Sequence, residues 1–276
     1  MSEIIHLDKI KLEKISPNFR GSHPIYNFML DNKLYYFKQV PMRELIMEMV
    51  SMRVAYHLGL PYLNEQVAVM DDEVGLLSES YLNSNESSYN LHTLIENYFY
   101  EMQEDDEDFF DYQDMRRLNN LEDIWFALEE KYSPDTVEKL MNGICDIFMF
   151  DMLLGEGDRT LRNIEIIEGE NGVRLAPIHD TSSIYNDHVL LGVDNEDFMH
   201  SDIQKLNKFL NTSDSYYSNR FYSFLNTLET IDISSILNEV IDTGVPIDTE
   251  LQEEIASNFH HRCQVLKECK RVSNTK

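Results

Sequence analysis

The sequence has few basic residues. It contains 23 Lys and Arg against 50 Asp and Glu, which gives a formal net charge of −27 over 276 residues. Proteins hold nucleic-acid backbones and anionic membranes through Lys and Arg, so a surface of this charge repels both. We therefore expect no direct nucleic-acid partner and no membrane partner.

Cysteines and long apolar runs are also scarce. The three cysteines, Cys145, Cys263 and Cys269, are odd in number and lack the spacing of a metal site. They favour a reducing compartment over a disulfide framework. The N-terminal residues show no signal-peptide core, and no run reaches the ~20 apolar residues of a membrane span. These absences predict a cytoplasmic protein, long enough for one large domain or two lobes.

A hairpin is predicted inside the stretch from Asp151 to Asp180. Two strand-like runs, 164–167 and 173–178, are separated by a turn that contains two glycines. Glycine in such a turn supplies the backbone conformations that a tight reversal needs. Because an antiparallel hairpin brings its two ends together, polar residues before it should lie close to those after it.

Three side chains that carry oxygen atoms flank this hairpin: Asp158, Asn163 and Asp180. Mg²⁺ prefers oxygen ligands and needs only one or two carboxylates from the protein. Asn163 and Asp180 are the candidate metal ligands, which leaves Asp158 to accept a proton from an attacking hydroxyl. Protein kinases use this order of base, metal ligand and metal ligand. Asp-x4-Asn is common by chance, so a turn role for Asp158 and a capping role for Asn163 remain the alternative.

The surrounding residues resemble a known family. LLGEGDRTLRNIEII followed by VRLAPIHDTSSIY resembles the C-terminal kinase core of the HipA family, bacterial serine/threonine kinases known as toxins of toxin–antitoxin pairs. The family pattern reads roughly G-N-x-D-R-H-x-x-N, a strand, and L-x-P-x-Y-D-x-x-S. Glu156, Thr160 and His179 depart from it without removing a group that the mechanism needs. The resemblance implies a two-lobed α+β kinase fold that uses ATP and Mg²⁺, with His179 beside the nucleotide.

A lysine and a glutamate nearer the N-terminus fit the same chemistry. Lys38 lies in the second strand of a predicted hairpin, IYNFML-DNK-LYYFKQV. The helix predicted over 42–60 carries Glu44 and Glu48 one turn apart on one face. Kinases hold phosphate with a strand lysine that pairs with a helix glutamate. The family stretch E-x-x-x-M-x-L-A-x-x-x-G-L selects Glu48 as this partner, with Glu44 in reserve. The alternative is that all three are ordinary surface residues.

The resemblance also places two segments beside the nucleotide. The loop GSHP aligns with a short loop over the phosphates, which makes Gly21 and Ser22 nucleotide neighbours. Ser16 and Ser22 are candidate autophosphorylation sites, because the family can phosphorylate itself in this loop. The hinge between the lobes, whose backbone meets the adenine edge, is assigned to Glu79, Ser80 and Tyr81.

A Ser/Asn-rich segment, 83–90, predicts the boundary between an N-lobe of residues 1–85 and a helical C-lobe of residues 86–276. The helices predicted beyond it cover 91–102, 121–132 and 133–155. The last of these should present the Asp158 loop, and we expect Asp146 and Asp151 on it to hydrogen-bond that loop.

Between the first two of these helices lies an acidic run, Glu101–Asp114, with eight acids in fourteen residues. A solvated loop or helix face is the ordinary interpretation of such a run. A surface that recruits a basic partner is the alternative.

Together these residues predict an ATP- and Mg²⁺-dependent serine/threonine protein kinase of the HipA-like type, with a protein hydroxyl as its substrate. Candidate partners are a small antitoxin and a separate protein that supplies the N-terminal subdomain of full-length HipA proteins. The alternatives are a lipid or small-molecule kinase on the same fold, a catalytically inactive binding module, and a divalent-metal hydrolase. The hydrolase would need neither Lys38 nor Glu48.

Overall fold

The computed structural model describes residues 4–9, 15–18, 23–102, 121–156, 159–181, 184 and 215–273. The chain forms two compact units. The first consists of residues 1–81, 177–184 and 230–261, and the second of residues 82–176, 185–229 and 262–276. The first unit thus includes two segments that lie far along the chain from its N-terminal third.

The first unit is built on a six-stranded sheet with the order β1-β5-β6-β4-β3-β2. Its strands are β1 (Ile5–His6), β2 (Ile15–Asn18), β3 (Ile25–Leu30), β4 (Lys33–Gln39), β5 (Glu65–Met70) and β6 (Glu73–Glu79). Strands β1 and β5 pair in parallel through two residue pairs, and the other neighbouring strands of this sheet are antiparallel. This sheet carries Lys38 and the first of the predicted hinge residues, Glu79.

Two-residue turns close the β3–β4 and β5–β6 hairpins. Asp31 and Asn32 have φ of 49° and 63°, and Asp71 and Asp72 have φ of 52° and 65°. Positive φ at both central residues matches the twist of the flanking strands, and Asp and Asn tolerate it better than most residues. The predicted hairpin that contains Lys38 is therefore confirmed.

The two faces of β4 have different environments. Phe37 is fully buried in an apolar cluster with Leu7, Phe28, Ala68 and Leu77. Since successive side chains of a strand point to opposite faces, Lys38 points away from this cluster. Burial of Phe37 contributes ~1.5–3 kcal/mol to the stability of the folded protein. It also fixes the direction in which Lys38 points.

Helix α1 (Met42–His57) follows the β3–β4 hairpin. Its buried residues include the charged Glu48 together with apolar side chains from Leu45 to Ala55. It packs against β6 and against α6 (Ile233–Ile241), which belongs to the same unit. Beyond the helix, Gly59 has φ of 70°, in agreement with the predicted stop before Pro61.

The second unit contains a three-stranded antiparallel sheet, β7-β8-β9. Its strands are β7 (Ser87–Asn90), β8 (Glu165–Gly169) and β9 (Gly172–Leu175). The β8–β9 hairpin was predicted. β7 was not, because its residues fall in the segment 83–90 that we interpreted as a linker. Ser and Asn have low strand propensity, but pairing with β8 satisfies their backbone groups and overrides that preference.

The first three helices of this unit agree closely with the ranges predicted from the sequence, and the fourth was not predicted. They are α2 (Leu91–Met102), α3 (Leu121–Lys131), α4 (Pro134–Leu154) and α5 (Ser215–Leu228), and the long α7 (Thr249–Ser273) contributes residues to both units. Helix α4 begins with Pro134 and ends at Gly155, which has φ of 66°. Proline at the start and a left-handed glycine after the end are the expected helix boundaries. Within the described ranges, no helix combines the length and apolar character needed to span a bilayer.

Candidate active site

The amine of Lys38 contacts two carboxylates. Its Nζ lies 2.6 Å from Oε1 of Glu48 and 2.5 Å from Oδ1 of Asp180. Glu48 comes from α1 and Asp180 from the segment that follows β9, so three distant parts of the sequence meet at one amine. The exposed fraction of the side chain is 16% for Lys38, 1% for Glu48 and 50% for Asp180. The amine is therefore enclosed on the Glu48 side and open on the Asp180 side.

Backbone contacts bring the segment of Asp180 to this place. Ile178 forms an isolated parallel bridge with Tyr62. The amide of Ile178 donates to the carbonyl of Pro61 at 2.9 Å, and the amide of Leu63 donates to the carbonyl of Ile178 at 2.9 Å. The residues just after α1 therefore hold the chain two residues before Asp180.

The backbone of Asp180 has an uncommon conformation. Its φ of 56° lies in the left-handed region, which non-glycine residues seldom adopt and which is enriched at functional sites. The surrounding bridge holds it in this conformation, with the side chain half exposed and in contact with Lys38. Aspartate tolerates this conformation better than most residues, as Asp31 and Asp71 also show.

The charges around Lys38 keep the amine cationic. Burial alone would lower the pKa of Lys38, but the negative charges of Glu48 and Asp180 outweigh burial and raise that pKa above its ordinary value. For Glu48, burial raises the pKa and the charge of Lys38 opposes it. The second carboxylate oxygen of Glu48, Oε2, is buried and has no hydrogen-bond partner among the described residues.

A further acid, Glu65, belongs to this cluster and was missed by the sequence analysis. Glu65 pairs with Ser78, while Lys38 and Val67 both pair with Leu76. This register puts Glu65 on the same face of the sheet as Lys38, one residue pair along. Burial, followed by the charge of Glu48, raises the pKa of Glu65 well above its ordinary value.

The signal that could have found Glu65 is strand alternation. Glu65, Val67 and Val69 share one face of β5, and Val67 is buried. A glutamate that alternates with apolar residues is a candidate for the inner face of a strand. Its proximity to Glu48, however, depends on how α1 packs on the sheet, which the local pattern does not contain.

Asn163, the second candidate metal ligand, ends a short 3₁₀ helix, Leu161–Asn163. Its Oδ1 accepts hydrogen bonds from the amide of Thr160 at 3.0 Å and from the hydroxyl of Thr160 at 2.8 Å. Thr160, where the HipA pattern has His, therefore acts as a reciprocal cap. Oδ1 of Asn163, the atom that a cation would bind, already accepts two hydrogen bonds from Thr160. Binding of a cation would require at least one of these hydrogen bonds to break.

The candidate base Asp158 lies outside the described residues and stays a prediction. The residue after it, Arg159, donates from Nε to Oδ1 of Asp151 at 2.8 Å. Both side chains are almost fully buried, with 3% exposed for Arg159 and 8% for Asp151. The predicted hydrogen bond between Asp151 and the loop is therefore present, with Arg159 as the donor. Asp146 instead pairs with Arg220 of α5, whose Nε lies 2.8 Å from Oδ1 of Asp146.

The predicted hinge residues make contacts within the first unit. The carboxylate of Glu79 accepts from Lys33 at 2.9 Å, and the amide of Ser80 donates to the carbonyl of Leu34 at 2.8 Å. The Ser80 amide is thus already used in the sheet edge and is not available to the predicted adenine contact.

Tyr81 and His179 stack on each other, with ring centroids 5.6 Å apart and planes inclined by 29°. The Nδ1 of His179 lies 2.9 Å from the carbonyl oxygen of Pro177. Because a carbonyl only accepts, Nδ1 is the donor in this contact. The structure therefore brings Tyr81, a predicted hinge residue, into contact with the residue before Asp180.

The loop predicted to cover the phosphates is described only at its end. Gly21 and Ser22 lie outside the described residues, and Ser16 is described only as part of the backbone of β2. His23 follows them, and its Nε2 lies 2.6 Å from Oε2 of Glu44. The reserve acid Glu44 thus pairs with His23, while Glu48 pairs with Lys38.

The residues present suit Mg²⁺ and a nucleotide in kind. Asp180 offers a half-exposed carboxylate, Asn163 offers an amide oxygen, and both are ligands that a hard cation prefers. The cationic amine of Lys38, enclosed by Glu48 but open on one side, suits a phosphate group. Each side chain thus suits its assigned role in kind; Lys38 and Asp180 belong to the first unit and Asn163 to the second.

The sequence matches none of the protein-family models against which it was scanned, and a search of curated proteins also finds no match. Solved structures do match. The crystal structure of the Helicobacter pylori proinflammatory kinase CtkA aligns with a TM-score of 0.65 and 17% identity, over 98% of this chain and 99% of CtkA.

A second match is HipA of the Shewanella oneidensis MR-1 toxin–antitoxin system, solved with HipB and its operator DNA. It aligns with a TM-score of 0.55 and 15% identity, over 94% of this chain and 63% of the HipA chain. At these identities the likeness establishes the fold and leaves the activity to be argued from the site. The predicted mixed α and β kinase architecture is confirmed, and the chain has the HipA-like kinase fold that it shares with CtkA and HipA.

Proposed function

We propose that this protein is an ATP- and Mg²⁺-dependent kinase that transfers a phosphoryl group to a serine or threonine hydroxyl of a protein. The observation that carries the proposal is the Lys38 amine held between the buried Glu48 and the half-exposed Asp180. Kinases need a strand lysine fixed by a helix glutamate, together with an aspartate that holds the metal. A buried ion pair kept only for stability would not require a third, open carboxylate.

Each residue has a distinct role in this proposal. Glu48 fixes Lys38, and Lys38 binds nucleotide phosphate on its open side. Asp180 and Asn163 orient the metal, and Asp158 orients the attacking hydroxyl and accepts its proton. When bound, Mg²⁺ supplies positive charge that neutralises the phosphates. Because Lys38 contacts Asp180, a phosphate group that binds Lys38 would replace Asp180 at the amine and leave its carboxylate available.

The remaining candidate residues would enclose the nucleotide. Gly21 and Ser22 are proposed to lie over the phosphates. The hinge residues Glu79, Ser80 and Tyr81 would meet the adenine, and the stacked ring of His179 would extend this surface. A phosphate-binding role for the loop is compatible with Ser16 or Ser22 as an autophosphorylation site.

The net charge of −27 bears on the substrate and the partner. A strongly acidic surface repels anionic lipids, which disfavours a lipid kinase, and attracts basic segments of proteins. The HipA structure contains HipB and DNA, and by analogy we propose that a small antitoxin-like protein is a partner of this chain. The fold likeness alone supports that part of the proposal.

Incubation of the purified protein with γ-labelled ATP, Mg²⁺ and myelin basic protein tests the function. We expect label on the protein substrate, on the kinase itself, or on both, with loss of label in EDTA and in Asp180→Ala and Lys38→Met. Matched controls are Asp135→Ala and Lys139→Met on the exposed face of α4, which should keep full activity.

The other outcomes separate the alternatives. Label that is equal in wild type and Asp180→Ala would contradict the proposed mechanism. Binding of ATP without transfer to any acceptor would favour an inactive binding module. Transfer only to a small molecule would favour a small-molecule kinase.

A further inference from the structure

A buried arginine from the last helix lies at the C-terminal end of α4. Arg262 of α7 is 5% exposed, and its Nη1 donates to the carbonyl of Met152 at 3.1 Å. Met152 belongs to the last turn of α4, which ends at Leu154. No feature of the sequence singled out Arg262, which occurs in an ordinary helical tail.

The chemistry of a helix end explains why a cation is favourable there. The last four carbonyls of an α-helix have no donor within the helix, and they carry a partial negative charge. The carbonyl of Met152 is one of them. Arg262 therefore satisfies a buried acceptor and complements the charge of the helix end with a single group.

Gly155 and Arg262 are matched in shape. Gly155 has φ of 66°, a conformation that favours glycine. A β-carbon at Gly155 would also overlap the guanidinium group of Arg262. The backbone conformation favours glycine at position 155, and a larger residue there would also force the guanidinium group of Arg262 to shift.

The chain leaves α4 at Gly155 and reaches Asp158 three positions later. On the far side of Asp158, Arg159 returns to α4 through its buried pair with Asp151. The backbone amide of Glu156 also donates to the carbonyl of Asp151 at 2.9 Å. The described residues on both sides of Asp158 are therefore anchored to the last turn of α4, the turn that Arg262 binds.

We propose that Arg262 is a positioning residue for phosphoryl transfer, which fixes the end of α4 from which the chain continues to Asp158. This inference rests on the proposed kinase function. Misplacement of a catalytic group by ~1 Å can cost about 100-fold in rate. Loss of the clamp should therefore slow the chemical step and leave the ATP site, which Lys38 and Glu48 form, unaffected.

The test compares Arg262→Met, Arg262→Lys and Gly155→Ala with wild type. The matched control is Arg43→Met, because Arg43 makes an exposed ion pair with Glu254 of the same helix α7, and such pairs contribute little. Steady-state transfer to myelin basic protein gives kcat and the KM for ATP. Hydrogen exchange by mass spectrometry follows the peptide 150–163.

We expect Arg262→Met to lower kcat by ~10- to 100-fold with the KM for ATP within about twofold. Arg262→Lys should recover part of kcat, since its ammonium group can donate to Met152. Gly155→Ala strains the backbone at the same helix end and displaces Arg262, so it should also lower kcat, and Arg262→Lys keeps the inference testable if Arg262→Met does not fold. Hydrogen exchange in the peptide 150–163 should be faster in Arg262→Met and Gly155→Ala than in wild type, while exchange in α6 stays unchanged. The control Arg43→Met should match wild type in every measurement.

An unchanged kcat in Arg262→Met, or unchanged exchange in 150–163, would overturn the inference. So would a loss of kcat that equals the loss of folded protein measured by circular dichroism, with no recovery in Arg262→Lys, because partial unfolding lowers the apparent kcat and leaves the KM for ATP unchanged. If wild type transfers no phosphate, the proposed function fails. The exchange measurement still decides whether Arg262 clamps the end of α4.

Discussion

Lys38 and Asp180 are in contact, Nζ to Oδ1 at 2.5 Å, although 142 positions separate them in the sequence. The contact joins a mostly buried amine to a half-exposed carboxylate. In the proposed mechanism Lys38 binds phosphate and Asp180 binds metal, so their contact pairs the two binding groups with each other. A magnesium nucleotide would offer each of them an oppositely charged partner at the same time.

Replacement of Lys38 by Met should abolish most of the activity. The variant removes the phosphate-binding amine and leaves Glu48 buried without its ion-pair partner. Loss of one well-placed electrostatic group typically costs 10²- to 10³-fold in kcat, and we expect a loss of about that size in the labelled-ATP assay. Lys139→Met is the matched control, and a Lys38→Met variant that retains more than about a tenth of the wild-type rate would contradict the assigned role.

The raised pKa of Glu65 predicts that the free energy of unfolding depends on pH. Its pKa in the folded protein is raised, so the folded state resists its ionisation. Below the unfolded pKa of ~4.3 the group is protonated in both states and costs nothing. Above that pH the unfolded state ionises first, and wild type loses stability until the pH passes the raised folded pKa.

Glu65→Gln removes this effect. Its free energy of unfolding should therefore exceed that of wild type by an amount that grows above about pH 4.3, by at most ~1.4 kcal/mol per pH unit. Urea unfolding at a series of pH values between about 4.5 and 8 measures it. Glu73→Gln on the exposed end of β6 is the control. A difference between wild type and Glu65→Gln that does not change with pH would rule out the raised pKa.

The buried pair of Asp151 and Arg159 predicts a large stability loss on removal of one charge. With Asp151→Asn, Arg159 keeps its charge in a site where only 3% of its side chain is exposed. Breaking such a pair costs ~3–5 kcal/mol. Asp146→Asn is the comparison, because the Asp146–Arg220 pair is 19% and 34% exposed and should cost less. Equal midpoints of urea unfolding for the two variants would argue against this difference.

Replacement of Asn163 should raise the Mg²⁺ concentration that phosphoryl transfer requires. In Asn163→Ala the candidate amide ligand and both hydrogen bonds from Thr160 are lost. We expect the Mg²⁺ concentration for half-maximal transfer to rise by ~10-fold or more. Thr160→Val separates the two effects, since it removes the hydroxyl bond but keeps the Asn163 oxygen, and it should leave the requirement near that of wild type. A similar rise in both variants would assign Asn163 to capping alone.

The elements of this fold could largely be predicted from local sequence. Asp31 with Asn32, and Asp71 with Asp72, favour tight turns by their own conformational preferences, so both hairpins are encoded within a few residues. The helices α2, α3 and α4 follow from apolar periodicity and from boundary residues such as Pro134 and Gly155. Strand β7 was missed because only its pairing with β8 stabilises residues of low strand propensity.

The candidate site could likewise be predicted from the sequence only in part. Lys38, Glu48, Asn163 and Asp180 could be proposed from motif spacing together with resemblance to a family. The contact of Asp180 with Lys38, the place of Glu65 beside Glu48 and the clamp of Arg262 on α4 could not. Turns, caps and periodic faces are properties of neighbouring residues, and the sequence alone determines them. Which distant charges meet, and which are buried, depends on strand register and on the packing of helices, and only the tertiary structure decided that.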